Sequence, residues 1–201
     1  MRIVVLASGR GSNFQAIVDA WEQGELPELE IAAVISDQPG AKVLDRARSK
    51  GIAAKVLPVH EFSSRQEYDR ALVKEIENSG ADFIVLAGFM RLLGQEFISR
   101  FTHRVINIHP SLLPAFPGLD AQQQAWKYGV KVSGCTVHFV DAGMDTGPII
   151  AQAVVSVLED DTAESLAQRI LQEEHSLYPA ALKLIAQGRV TVKGRRVFVT
   201  E

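Results

Sequence analysis

The stretch Ile3-Val4-Val5-Leu6-Ala7-Ser8-Gly9-Arg10-Gly11-Ser12-Asn13 decides how the rest of the chain is read. Its five consecutive apolar residues, with no polar alternation, read as a strand buried on both faces. The run stops at Gly9 and Gly11, after which Phe14, Ile17, Val18 and Trp21 fall on one side of a helix over 12–22. The same alternation continues outward. Strands are predicted over 31–36, 53–59 and 83–87, and helices over 40–50 and 65–79. Strand–helix alternation with short connections implies right-handed crossovers and a parallel sheet. After Gly88 the pattern changes to a short helix over 94–101 and a strand over 104–109. Pro110 keeps the residue before it extended, which places His109 at that strand's last step. Residues 132–140 and 149–157 alternate like an antiparallel hairpin joined by the loop Asp141-Ala142-Gly143-Met144-Asp145-Thr146-Gly147-Pro148. Asp161, with Glu164 three residues on, reads as a capping box at the head of the last helix. Residues 190–199 read as a small peripheral hairpin around Lys193-Gly194. The predicted fold class is α/β: a Rossmann-like, mixed, mostly parallel twisted sheet flanked by helices.

Composition narrows the function. The 201 residues suit one domain over 1–201, or two fused halves of about 1–100 and 101–201, at roughly 100–200 residues per domain. With 47% apolar and 22% charged side chains, the chain is neither collagen-like, coiled-coil nor disordered. A formal net charge of −3 argues against a basic footprint for nucleic acid. Cys135 is the one cysteine, so no internal disulfide or Cys-rich zinc site is expected, and a cytoplasmic location is. The apolar run over 83–90 is far short of a membrane span. The few apolar residues before Ser8 are too few for a signal peptide.

Three groups of residues carry chemistry. The loop Ser8-Gly9-Arg10-Gly11-Ser12-Asn13 lies between a strand and a helix, where glycines let backbone approach an anion and the helix's N–H groups favour negative charge. It is equally an ordinary tight turn with Ser12 as N-cap. Phe14 stands where a dinucleotide fingerprint needs its third glycine, and the Walker Gly-Lys-Ser/Thr is absent, so a single phosphate is the better ligand. Asp37, ending the second strand, sits where such folds place a ribose-binding acid. Asn107 and His109 are two apart on one strand, hence on one face, at the carboxyl end where ligand crevices form. An amide donor beside an imidazole suits an oxyanion in acyl transfer. Asp145 is either a solvated turn residue or the carboxylate that orients His109 and relays a proton. Glu174 interrupts the apolar helical series Leu166, Ile170, Tyr178, and either pairs with a buried cation or reaches a ligand hydroxyl. Arg195-Arg196 reads as solvated hairpin charge.

Gly9-Arg10-Gly11-Ser12-Asn13, Ala87-Gly88-Phe89-Met90-Arg91 and Asn107-Ile108-His109-Pro110-Ser111-Leu112-Leu113-Pro114 together resemble the phosphoribosylglycinamide formyltransferase family. Phe116-Pro117-Gly118, Met144-Asp145-Thr146-Gly147-Pro148 and Glu174-His175-Ser176-Leu177-Tyr178-Pro179 extend the resemblance in family order over nearly the whole chain. The resemblance implies the formyltransferase fold and transfer of a formyl group from 10-formyltetrahydrofolate, as co-substrate and without a metal, to the amine of 5′-phosphoribosylglycinamide. It places catalysis on Asn107, His109 and Asp145. It places the phosphoribosyl substrate on Gly11, Ser12, Asn13, Gly88, Pro110 and Glu174. The folate falls on Arg65, Met90, Arg91, Leu92, Leu93 and Asn107, and on Asp141, Ala142, Gly143, Met144 and Asp145. Expected partners are these small molecules, with no nucleic acid or membrane, in a monomer or homodimer. Formyltetrahydrofolate deformylase and methionyl-tRNA formyltransferase share the Asn-x-His core, but each generally carries an added domain for which this chain is expected to have no room. A non-enzymatic nucleotide-binding module would use the glycine loop alone.

Overall fold

In the computed structural model, which describes residues 1–200, β1 (Arg2–Leu6) lies between two parallel neighbours, β2 (Glu30–Ser36) and β4 (Phe83–Leu86). Residues 3–7 have no exposed surface, which is what an unbroken apolar run on a parallel strand requires. β3 (Ala53–Val56) pairs with β2 and is shorter than the sequence pattern predicts. Pro58 has no N–H to offer a ladder, and a single 3₁₀ turn over Val59–Glu61 takes the place of the strand's end. The helices of this region are α1 (Ser12–Glu22), α2 (Lys42–Ser49), α3 (Arg65–Ser79) and α4 (Gln95–Arg100). α1 seats Phe14, Ile17 and Val18 in the core; burying each such side chain stabilises the fold by about 1.5–3 kcal/mol. α3 begins after Ser64, whose hydroxyl accepts from Glu67 N, and ends at Gly80 in the left-handed region.

The chain divides into two compact units, Met1–Ile106 and Asn107–Glu201, and the division falls within β5 (Val105–His109). The second unit continues with α5 (Ala121–Tyr128), β6 (Val132–Phe139), β7 (Ile149–Ser156) and α6 (Ala163–Ala186), and ends in a hairpin of β8 (Val190–Lys193) and β9 (Arg196–Val199). The strand order is β3-β2-β1-β4-β5-β6-β7, with β8-β9 as a separate sheet. β6 and β7 are antiparallel, so the sheet is mixed and mostly parallel. α6 packs on both strands of that hairpin and on α5.

Three local expectations are corrected. α5 was not predicted from the sequence. It enters through Asp120 in the left-handed region and buries only Ala121 and Ala125, which leaves no apolar period to read. The cap of α6 is Thr162, whose side chain accepts from Ser165 N while Ser165 Oγ accepts from Thr162 N; Glu164 takes no part. Asp161, one residue earlier, instead binds Arg169 bidentately and accepts from Leu158 N. Gly11, not Ser12, is the N-cap of α1.

Candidate active site

In the second unit, β5 delivers Asn107 and His109 and then stops at Pro110. His109 is buried, with oxygen on either side of its ring. Nε2 lies 2.8 Å from the Phe116 carbonyl, and Nδ1 lies 3.4 Å from Asp145 Oδ2. A carbonyl only accepts, so Nε2 carries a proton, and Nδ1 faces the carboxylate of Asp145. The two acceptors come from residues that share an uncommon backbone. Phe116 and Asp145 have φ of 51° and 53°, a left-handed conformation that costs a non-glycine residue about 1–2 kcal/mol. Strain of this kind persists only where the surroundings hold it. Asp145 Oδ2 accepts from Gly118 N at 2.8 Å, and Ser111 Oγ donates to the Ala115 carbonyl at 2.5 Å. Thr136 Oγ1 donates to Ser111 O and accepts from Leu113 N, so the segment leaving His109 is pinned to β6.

A fourth side chain completes this group, and the sequence reading missed it. His138 on β6 is fully buried. It lies 3.2 Å from Asn107 Nδ2 through Nε2, and 3.8 Å from Asp145 Oδ1. Its Nδ1 faces the carbonyl of Phe139 at 2.9 Å and so carries the proton, which leaves Nε2 to accept from the Asn107 amide. Burial pushes this imidazole below its ordinary value, which keeps Nε2 an acceptor. The available signal was the one used for Asn107: a polar side chain between apolar neighbours on a strand, here Val137 and Phe139.

The loop after β6 is tied by Asp141, whose Oδ1 accepts from Gly143 N at 3.1 Å and from Thr146 Oγ1 at 2.6 Å. Ala142, Gly143 and Met144 are exposed. Glu174 is buried on α6, and its charge, after burial itself, helps push the Cys135 thiol up to about 12. Cys135 is therefore an inert core residue.

The first unit holds the remaining candidates. Gly11 has φ 71°, and a Cβ on it would stand 2.6 Å from Val43 Cγ2, so both conformation and space demand glycine. The carbonyls of this turn are taken up within the protein: Gly9 O accepts from Val43 N, Arg10 O from Arg46 Nε and Gly11 O from Gln15 N. No side chain caps α1, and no acidic residue stands in its first turn. A helix start built this way presents N–H groups to an anion. Ser8 ties the turn to the segment after β4, its N–H donating to Gly88 O and its Oγ accepting from Met90 N. Gly88 has φ 75° with nothing within 4 Å of a Cβ position. Beyond it Met90, Arg91 and Leu92 are exposed and Leu93 is half-buried. Arg91 lies over the Tyr68 ring, Arg65 lies 3.9 Å from Asp69, and Asp69 Oδ2 accepts from Gly94 N. Asp37 is buried, with Oδ2 accepting from Gln38 Nε2. Among the described residues no helix is long and apolar enough to cross a membrane, and no group of His, Cys, Asp and Glu is placed to hold a metal.

Comparison with known proteins gives these residues a context. The pattern of the formyl transferase family matches residues 1–182. The chain is 44% identical, over 94% of its length and 89% of the relative's, to phosphoribosylglycinamide formyltransferase of Escherichia coli (strain K12). It is 46% identical, over 95% of its length, to the trifunctional purine biosynthetic protein adenosine-3 of Drosophila melanogaster, of which it spans only 14%. Among solved structures, glycinamide ribonucleotide transformylase 1 from Symbiobacterium toebii superposes with a TM-score of 0.97 at 51% identity, covering 100% of this chain and 94% of that one.

Proposed function

Because the chain belongs to the formyl transferase family, and within it to the phosphoribosylglycinamide formyltransferases, we propose that it transfers the formyl group of 10-formyltetrahydrofolate to the primary amine of 5′-phosphoribosylglycinamide, a step of purine biosynthesis. The observation that carries the mechanism is Asp145 at 3.4 Å from a buried His109 whose other nitrogen already donates.

The transfer is direct. The amine nitrogen attacks the formyl carbon, a C–N bond forms, and the carbonyl oxygen takes negative charge in a tetrahedral intermediate. His109 Nε2–H, donated to the Phe116 carbonyl when no substrate is bound, turns to that oxygen. Asn107 offers the Nδ2–H that His138 does not take. Removing one such donor typically costs about 3–4 kcal/mol of barrier. Asp145 holds the imidazolium and, through water, moves the ammonium proton to the folate nitrogen as the old C–N bond breaks. Gly11, Ser12 and Asn13 take the substrate phosphate on backbone N–H groups, Glu174 takes the ribose hydroxyls, and the backbone at Gly88 and Pro110 lines the amine. Arg65, the segment Met90, Arg91, Leu92 and Leu93, and the loop Asp141, Ala142, Gly143, Met144 and Asp145 take the folate. A net charge of −3 argues against a nucleic-acid partner, and one buried thiol suits a cytoplasmic location; the assembly proposed is a monomer or homodimer.

The test is a folate absorbance assay with phosphoribosylglycinamide present or omitted. Turnover is expected only with the amine. Turnover in its absence would make the chain a deformylase, and silence in both mixtures would make it a binding module.

A further inference from the structure

The terminal hairpin lies outside the residues matched by the family pattern, and its three cations are divided. Lys193 and Arg196 both stand over the ring of Phe198, at 5.7 and 5.2 Å from its centroid. Arg195, at the turn, instead donates Nη1–H to the carbonyl of Thr146 at 2.7 Å. Thr146 directly follows Asp145, the left-handed residue whose carboxylate meets His109. Thr146 is therefore held at two points, by Asp141 through its hydroxyl and by Arg195 through its carbonyl. The first bond lies within the loop and moves with it. The second comes from another sheet, which packs on β7 and is closed at its base by Arg189 and Thr200 bonding each other.

We infer that Arg195 is a positioning residue: its bond to the Thr146 carbonyl makes the β8–β9 hairpin the fixed post from which the backbone of Asp145 is held in its strained conformation toward His109. This rests on the role proposed above for Asp145. A left-handed aspartate relaxes toward ordinary φ unless its flanking peptides are held. The preceding residues 142–144 are exposed, and the bond made by their backbone, from Gly143 N to Asp141 Oδ1, lies within the loop and moves with it. Asp145 Oδ2 also accepts from Gly118 N, so that amide reports on whether the carboxylate stays in place.

The experiment compares Arg195→Ala, Arg195→Lys and Asp145→Asn in the full chain, by steady-state kinetics and by hydrogen exchange at single amides. In Arg195→Ala, kcat is expected to fall on the order of tenfold, since a misplacement of about 1 Å can cost about 10²-fold and the Asp141 tie to Thr146 limits the displacement. KM for the phosphoribosyl substrate should stay within about twofold, and exchange at Gly118 N–H should quicken while Leu113 N–H, bonded to Thr136, stays protected. Arg195→Lys should recover most of kcat. If Arg195→Ala turns over like the parent while Asp145→Asn collapses, the inference fails and the functional reading stands. If Asp145→Asn itself turns over normally, the functional reading fails. If Arg195→Ala loses protection at Leu113 and Gly118 alike, the hairpin is a general stabiliser and the positioning role is overturned.

Discussion

The turn over 8–13 and the loop over 141–148 both join a strand to the next element and both carry proposed function, yet they are built from opposite materials. The first is backbone. Its shape comes from Gly11 at φ 71°, from Val43 packed where a Cβ would stand, and from three carbonyls bonded within the protein. What it offers a ligand is peptide N–H, and side-chain identity there matters mainly through charge. The second is made by side chains. Asp141 ties it, Arg195 props it, and its product is one carboxylate held against an imidazole. A phosphate is a diffuse target that several amides meet well; a proton in transit needs one atom in one place. Substitutions in the two loops should therefore fail differently, the first in binding and the second in turnover.

The sharpest break of that contrast lies in the imidazole–carboxylate pair. His109→Ala and Asp145→Ala are each expected to lower kcat on the order of 10²–10³-fold, the usual cost of losing an oxyanion donor or its support. KM for phosphoribosylglycinamide should stay within several-fold, because neither side chain is assigned to the phosphate. Near-normal turnover in either variant, measured under saturation, would remove these residues from the mechanism.

A smaller effect is expected in the backbone-built turn. Asn13→Asp adds an acid to the first turn of α1, which has none. An acid there suits the helix dipole by about 0.3–1 kcal/mol, but it would face the dianion proposed to bind at this turn. The thermal midpoint should hold or rise while KM for the phosphorylated substrate increases on the order of tenfold, with kcat spared. A variant with unchanged KM would place the phosphate elsewhere.

The two loops also differ in how far they could be read in advance. The glycines of the turn over 8–13 and the helix over 12–22 were legible because local rules decide them: apolar period, glycine, the first unpaired N–H groups. The same holds for α3, bounded by the Ser64 cap and Gly80. Asn107, His109 and Asp145 stood out as polar residues in apolar or glycine-rich surroundings, but what they touch is not local. The Phe116 carbonyl and Gly118 amide are backbone atoms in a loop whose left-handed residues, Phe116 and Asp120, follow no composition rule. Arg195 looked like surface charge because its partner is 49 residues away and is a carbonyl, which no sequence displays. Choosing Asp161 as the cap of α6 missed by one position, within the ordinary uncertainty of helix ends.

His138 allows the finest test, because it joins the amide of Asn107 to the carboxylate loop and is held neutral by burial. The groups around it pull both ways: Asp145 and Asp141 favour its charged form, while His109 opposes it. Burial is the largest influence, so the folded-state value lies below the ordinary 6.5. As pH falls, the unfolded chain therefore takes up this proton first. The stability tied to a neutral His138 is whole above pH 6.5 and declines below it, until the folded-state value is passed. A single proton contributes a slope of at most about 1.4 kcal/mol per pH unit. Protonation also turns Nε2 into a donor facing the donor of Asn107, so the amide loses the acceptor that orients it. His138→Gln keeps an oxygen acceptor in reach and cannot titrate. Urea unfolding of both proteins at pH 8, 7, 6 and 5 should show the parent's curve falling more steeply below 6.5, so that the gap between the two narrows or reverses there. A gap that stays constant across the series would mean that His138 takes up its proton over the same pH range in folded and unfolded chains, and the buried neutral imidazole would then not be what fixes the Asn107 amide.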